Sequence, residues 1–275
     1  MSRITEITSR ECLSYIKNGG DLAVVPVGAI ERTGPHLPLG AAGFVAEAIA
    51  ELISTENNGV CLPLIPYGTV YDTFSCIGSI DVDPDTMHKY CWDLCDELTA
   101  NGFKRIIFVS FQDDFYYLGH QYFQEKNVAV ACLSPDRYHS FPGSVASSLD
   151  AHGRELWRLI GCLDAMGEIE LIEDVLRKTE EYFHMFAPVV DERKLVLNKL
   201  GKTGHAMLEN EWRFYPVNLG KSLEDASAPF EKPGRELINQ ARAELIDWIA
   251  SLAEPIADLS EYQRYLDGHA FARPI

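Results

Sequence analysis

The sequence predicts an open α/β fold with a mainly parallel sheet, and three observations predict it. Short apolar runs of strand type recur at 22–27, 59–65, 103–109 and 128–133, with segments of helical period between them. The first run empties into a stiff polar loop and then a helix, the order in which open α/β folds build a ligand site at the carboxyl end of a strand. A length of 275 residues suits such a fold, and no repeat, low-complexity segment or linker divides the chain, so 1–275 reads as one domain.

Composition narrows the functional classes. With 47% hydrophobic residues the chain can bury a sizeable core. A formal net charge of −17 argues against a nucleic-acid partner, because phosphate binding needs clustered Lys and Arg. No apolar run is long enough to span a bilayer, and Met1–Thr5 begins no signal peptide, so a cytoplasmic protein without a membrane partner is expected. The seven cysteines are scattered and form no CxxC pair, which reads as reduced structural thiols. There is no P-loop, GxGxxG or GxSxG.

The elements follow in order. Thr8–Ile16 is a short helix with Thr8 or Ser9 as cap and Gly19-Gly20 as stop. Leu22–Val27 is a buried strand, Ala41–Leu52 a helix, and Gly59–Ile65 a second strand closed by Pro66-Tyr67-Gly68. Pro84–Leu98 is an amphipathic helix with Asp83 as cap and Pro84 in its first turn. Phe103–Val109 is the clearest strand in the chain; Tyr116–Lys126 is a helix and Val128–Leu133 a strand. Pro135–Ser148 is polar and loop-like, and Glu168–Glu181 reads as a charged, solvated helix. Phe183–Glu211 shows no steady period, and Trp212–Val217 suits a late strand. Arg235–Leu252 is an amphipathic helix with Leu237, Ile238, Ala241, Leu245, Trp248 and Ile249 on one side. Tyr262–Ile275 reads as an arm lying on a neighbour or on the protein's own surface.

The chain is organised around Val24–Gly40, whose glycines and prolines restrict the backbone around Glu31 and His36. It is either a site loop or a stiff connection whose glutamate faces water. Pro26-Val27-Gly28, Glu31 and Gly34-Pro35-His36-Leu37-Pro38-Leu39 resemble the signature loop of the creatininase (creatinine amidohydrolase) family, approximately P-V-G-S-x-E-Q-H-G-P-H-L-P-L-x-T-D. Pro66-Tyr67-Gly68, Ile77-Gly78-Ser79-Ile80 and Gly102–Val109 resemble later family segments, and Leu149–Arg158 faintly resembles the family's H-A-G-E-x-E-T-S. The resemblance implies a three-layer α/β/α sandwich and a homo-oligomer. It also implies hydrolysis of a C–N bond in a small cyclic or formyl amide by water held between two divalent ions.

This sequence departs from the family at the metal cage. Thr33 and Ala42 stand at a histidine and an aspartate ligand position, and Gln112 stands where a histidine ligand belongs. Under the resemblance Glu31, Gln112, Asp114 and Glu155 are the remaining metal candidates. That oxygen-only set suits one hard ion better than a zinc pair. The expected cofactor is therefore a single magnesium, manganese or zinc ion, or none. The other reading of these residues is hydration, or pairing with Arg32 and Arg154. His152 is the candidate catalytic proton carrier, with a helix-start histidine bonded to backbone as the alternative. His36, Tyr71, Asp72, Phe111 and Trp157 are the candidate substrate-binding residues, His36 bracing the loop rather than holding metal. Two functions stay open: a divergent hydrolase with an altered metal site, or a non-catalytic relative that binds a small molecule or a partner subunit.

Overall fold

The structure is a computed structural model that describes residues 3–33, 36–70, 77–111, 114–136, 145, 149, 151–182 and 233–268, with the backbone alone at 114–116, 120, 151–152 and 266–267. Its centre is a four-stranded sheet in the order β2-β1-β3-β4, every pairing parallel. The strands are β1 (Leu22–Pro26), β2 (Val60–Cys61), β3 (Arg105–Val109) and β4 (Ala129–Leu133). Parallel neighbours need long crossovers, and helices supply them. These are α2 (Ala41–Glu56) between β1 and β2, α3 (Pro84–Ala100) between β2 and β3, and α4 (Asp114–Lys126) between β3 and β4. Before the sheet comes α1 (Ser9–Lys17); after it come α5 (Ala151–Met166), α6 (Ile169–Tyr182), α7 (Arg235–Ser251) and α8 (Ala253–Gly268).

Strand pleating sorts the core into two halves, because alternate side chains point to opposite faces. Leu22 and Val24 of β1 with Ile107 and Val109 of β3 pack against α2, α5, α6 and α7. Ala23 and Val25 with Ile106 and Phe108 pack against α1, α3 and α4. The sheet is thus covered on both faces, the three-layer α/β/α sandwich expected from the sequence.

Local signals explain where several helices begin. Thr8 caps α1 in a capping box with Glu11, and Asp83 caps α3 ahead of Pro84. At the base of the sheet, Arg105 donates through Nε and Nη2 to Asp21 Oδ1 (2.9 and 2.6 Å) and through Nη1 to Ile256 O (3.1 Å), tying β3 to α8.

Three sequence expectations need correction. The second strand is much shorter than Gly59–Ile65: it stops at Cys61, and Ile65 makes only an isolated bridge to Val27. Pro63, between them, has no N–H to give to a ladder. The α6 segment is not merely a solvated face, since Ile172, Val175, Leu176 and Thr179 are buried. The arm expected from Tyr262 begins as the end of α8. There Gln263 is buried, accepts from Ala129 N at 2.8 Å and donates to Asn127 O at 3.2 Å, so it engages β4 directly. Phe183–Glu211 and Trp212–Val217 lie outside the described residues, as does the tail beyond Gly268.

Gly28, in the signature loop, shows why that position is glycine. A Cβ there would stand 2.5 Å from the Cα of Gly43 in the first turn of α2, a backbone contact no side-chain rotation relieves. Gly28→Ala is expected to cost about 1–3 kcal/mol by overpacking. Urea unfolding checks this: the midpoint should fall with the slope unchanged.

Candidate functional site

The site follows from strand order. The chain leaves β1 through α2 on one face to reach β2, and reaches β3 through α3 on the other face. Helices that diverge this way open a crevice at the carboxyl ends of β1 and β3, where open α/β folds bind ligands.

The loop after β1 is held at this edge by backbone hydrogen bonds. Val27 N donates to Val109 O and Gly28 N to Ile65 O, each at 2.9 Å, extending the sheet contacts past the strand end. Glu31 N donates to Leu39 O at 2.9 Å and closes the loop on itself, with Gly34 and Pro35 outside the described residues. Ile80 N donates to Ile30 O (2.9 Å) and Arg32 N to Ser79 Oγ (3.1 Å), which clamps the loop from the 77–81 segment. His36 is 2% exposed and Leu37 joins the core, so the loop lies inside the molecule at that end. Glu31 itself is half-buried at the rim.

A charged cluster on α5 lies within electrostatic reach of Glu31. Glu155, on the first turns of α5, is partly buried with its Oε2 wholly buried. Burial pushes its carboxyl up to about 8. Arg158 and then Arg154 oppose that shift, while Asp136 and Glu31 add to it. Arg158, one helical turn on, is 6% exposed. Its Nη1 donates to Asp136 Oδ1 at 2.5 Å, just past the end of β4, and its guanidinium carbon lies 5.0 Å from the centroid of the Phe111 ring, just past β3. Arg154 Nη1 instead donates to Leu149 O at 2.8 Å. Residues following β1, β3 and β4 thus converge with α5 on one cluster.

Of the residues singled out by sequence, Glu31, Glu155 and Phe111 belong to this cluster. Trp157 is buried in the helical layer, where its Nε1 donates to Glu244 Oε2 of α7 at 3.1 Å. Asp114 begins α4 and His152 lies in the first turn of α5, but the side chains of both lie outside the described residues, as do Gln112, Tyr71 and Asp72 entirely. Sequence reasoning missed Asp136 and Arg158. In the sequence Arg158 only closes the segment Leu149–Arg158, and Asp136 is only part of the polar loop Pro135–Ser148. The described cysteines suit structural thiols: burial pushes Cys61, Cys91 and Cys162 up to about 12, far from the thiolate a nucleophile needs.

Among the described residues the donor set does not fit a two-ion cage. Thr33 and Ala42 occupy two ligand positions of the family pattern. Among the described residues no three His, Cys, Asp or Glu side chains are gathered for a metal. A permanently charged guanidinium, Arg158, instead sits within electrostatic reach of Glu155.

Comparison with known proteins agrees with the architecture. Residues 5–121 match the family described as Creatininase: Creatinine amidohydrolase. A structure described as "Creatininase Mn" is 15% identical, with a TM-score of 0.59 over 92% of this chain and 98% of that one. A crystal structure of creatinine amidohydrolase (creatininase) is 14% identical, with a TM-score of 0.58 over 92% and 97%. A putative creatinine amidohydrolase from Bacteroides fragilis is 17% identical, with a TM-score of 0.55 over 90% and 94%. Another creatininase variant is described as of Zn-Zn type. No curated protein sequence matches this one.

The raised carboxyl of Glu155 has a consequence for stability. Between the ordinary carboxylate range and about 8, the folded chain holds a proton that the unfolded chain has released. Stability therefore falls as pH rises through that window and levels off above it. Glu155→Gln is expected to remove this part of the slope and to gain on the parent at the alkaline end. Urea unfolding in chelator between about pH 5 and about pH 9 checks it; a parent whose stability rises across the window contradicts the assignment.

Proposed function

Taking as premise that this chain is a divergent member of the creatininase family through residues 5–121, on a creatininase-like fold, we propose that it is a hydrolase of that family. It acts on the C–N or related bond of a small cyclic amide-like substrate, bound at the crevice between β1 and β3. The observation that carries this reading is the burial of the Glu155 carboxyl beside other charged groups: burial raises it, and Asp136 and then Glu31 add to the rise. A carboxyl that stays protonated near neutral pH can hand a proton to a leaving nitrogen, while an ionised partner takes one from water. Glu155 fits the first role by its surroundings, with His152 as the second proton carrier from the same turn of helix. Phe111 gives the crevice an apolar wall, and His36, Tyr71 and Asp72 complete the substrate-binding set. The chain works as one domain in a cytoplasmic homo-oligomer, and any metal is a single ion held by Glu31, Gln112, Asp114 and Glu155.

The second reading is a catalytically inactive relative that keeps the scaffold to bind a small molecule or a partner subunit. It is favoured by Thr33 and Ala42 at two ligand positions and by the guanidinium among the carboxylates.

Metal analysis and a hydrolysis screen separate the two. The hydrolase reading expects ring-opening of small lactams, cyclic ureas or formyl amides by the parent. It expects a loss of about 100-fold or more in kcat/KM for Glu155→Gln and for Glu31→Gln, as for removal of a general acid or base. It also expects no more than one divalent ion per chain, lost on Glu31→Ala. A chain that turns over nothing and whose melting ignores chelator belongs to the second reading.

A further inference from the structure

Arg158 carries a donor that no described residue satisfies. Its side chain is 6% exposed, yet its Nε is buried and has no hydrogen-bond partner among the described residues. A buried N–H left unmatched on a charged group is costly, and such groups in native proteins normally face a water, an ion or a ligand. The geometry says which edge of the guanidinium is open. Asp136 takes Nη1, which lies on the side of the stem; Nε and Nη2 form the opposite fork. That fork receives the two oxygens of a planar carboxylate in parallel.

The remaining contacts turn this donor into a built site. The Phe111 ring lies beneath the guanidinium, 5.0 Å from its carbon, which restricts the plane in which the fork can lie. Asp136 is 56% exposed, so its attraction is screened by water, and neither it nor the nearby carboxyl of Glu155 accepts from Nε. The site lies just past the carboxyl ends of β3 and β4, the edge of the sheet at which open α/β folds place ligands.

We propose that Arg158 is a fixed cation at these strand ends, and that its Nε–Nη2 fork binds the carboxylate of a small-molecule ligand. The inference shares with the proposed function only the reading that the crevice is the ligand site; it requires neither turnover nor a metal. A carboxylate is favoured over a phosphate because Asp136 already pairs with this guanidinium and Glu155 lies within its electrostatic reach, so a second negative charge on the ligand would be repelled where a single one is tolerated.

Acetate, inorganic phosphate and chloride are the probes, compared at equal ionic strength and pH on the full chain in chelator. Acetate is expected to raise the melting temperature by about 3 °C over chloride at saturating concentration. It should also shift the Nε–H resonance of Arg158, identified by its disappearance in Arg158→Lys. That variant keeps the charge but loses the fork, so it should lose the acetate effect. Asp136→Asn leaves the fork and removes a competing carboxylate, so acetate should bind it several-fold more tightly. This holds the proposal to a test even where Arg158→Lys does not fold. An equal acetate effect in Arg158→Lys, an unmoved Nε–H signal, weaker acetate binding by Asp136→Asn, or tighter binding of phosphate than acetate each overturns the proposal. Because these readouts use neither substrate nor metal, their failure leaves the hydrolysis screen standing, and an inactive enzyme leaves them standing.

Discussion

The whole molecule depends on β1 being enclosed on every side. All five residues from Leu22 to Pro26 are buried, one set of side chains entering each half of the core. Both of its edges are paired, with β2 on one side and β3 on the other. A strand fixed in this way has no freedom of register, since a slip of one residue would exchange its two buried faces and break both ladders. The loop that leaves it therefore starts from a fixed point, and Glu31 comes to the crevice rim through Val27 and Gly28, which continue the sheet contacts. The close approach of Gly28 to Gly43 then sets how tightly the loop turns onto α2.

Electrostatics at the crevice follow from that frame. Carboxylates brought together in a partly dry space repel, and the repulsion must be relieved by a metal, a proton or an organic cation. In this chain burial raises the carboxyl of Glu155, which favours its protonated form, and the guanidinium of Arg158 lies within electrostatic reach. Two divalent ions would bring more positive charge and would demand an imidazole nitrogen and a carboxylate oxygen that Thr33 and Ala42 do not supply. An arginine differs from a metal ion in a way that matters for function: it holds ligands by directed hydrogen bonds and does not make water acidic.

The helical layer behind α5 keeps this arrangement in place. The indole of Trp157 donates to Glu244 of α7, and that carboxylate also accepts from Val145 N, at 3.2 and 3.1 Å to its two oxygens. Two turns further along, the buried carboxylate of Asp164 faces Arg235 of α7 at 2.7 Å, with Arg242 at 3.8 Å. Gly161 lets the two helices approach, since a Cβ there would meet Ala241 O at 2.8 Å. Trp157 and Arg158 are neighbours in sequence but point into different surroundings, one into the seam with α7 and the other toward the strand ends.

The sequence by itself determined the order of strands and helices, several of their caps, the parallel character of the sheet and the loop that carries Glu31. Each is written in local periodicity, in Thr8, Asp83 and Pro84, or in the Pro26–Leu39 pattern, so each is legible within a short window. It also marked Glu155 and Phe111, through the resemblance and through aromatic residues near strand ends. Only the tertiary structure decided that Asp136 and Arg158 join them, that Trp157 faces α7, and that α6 and Gln263 are buried. The physical reason is distance along the chain: Phe111, Asp136 and Arg158 sit in separate elements, and no local pattern encodes that one guanidinium will pair with an acid after β4 and stack on a ring after β3. Such a cluster exists only once the sheet has brought the strand ends to one edge.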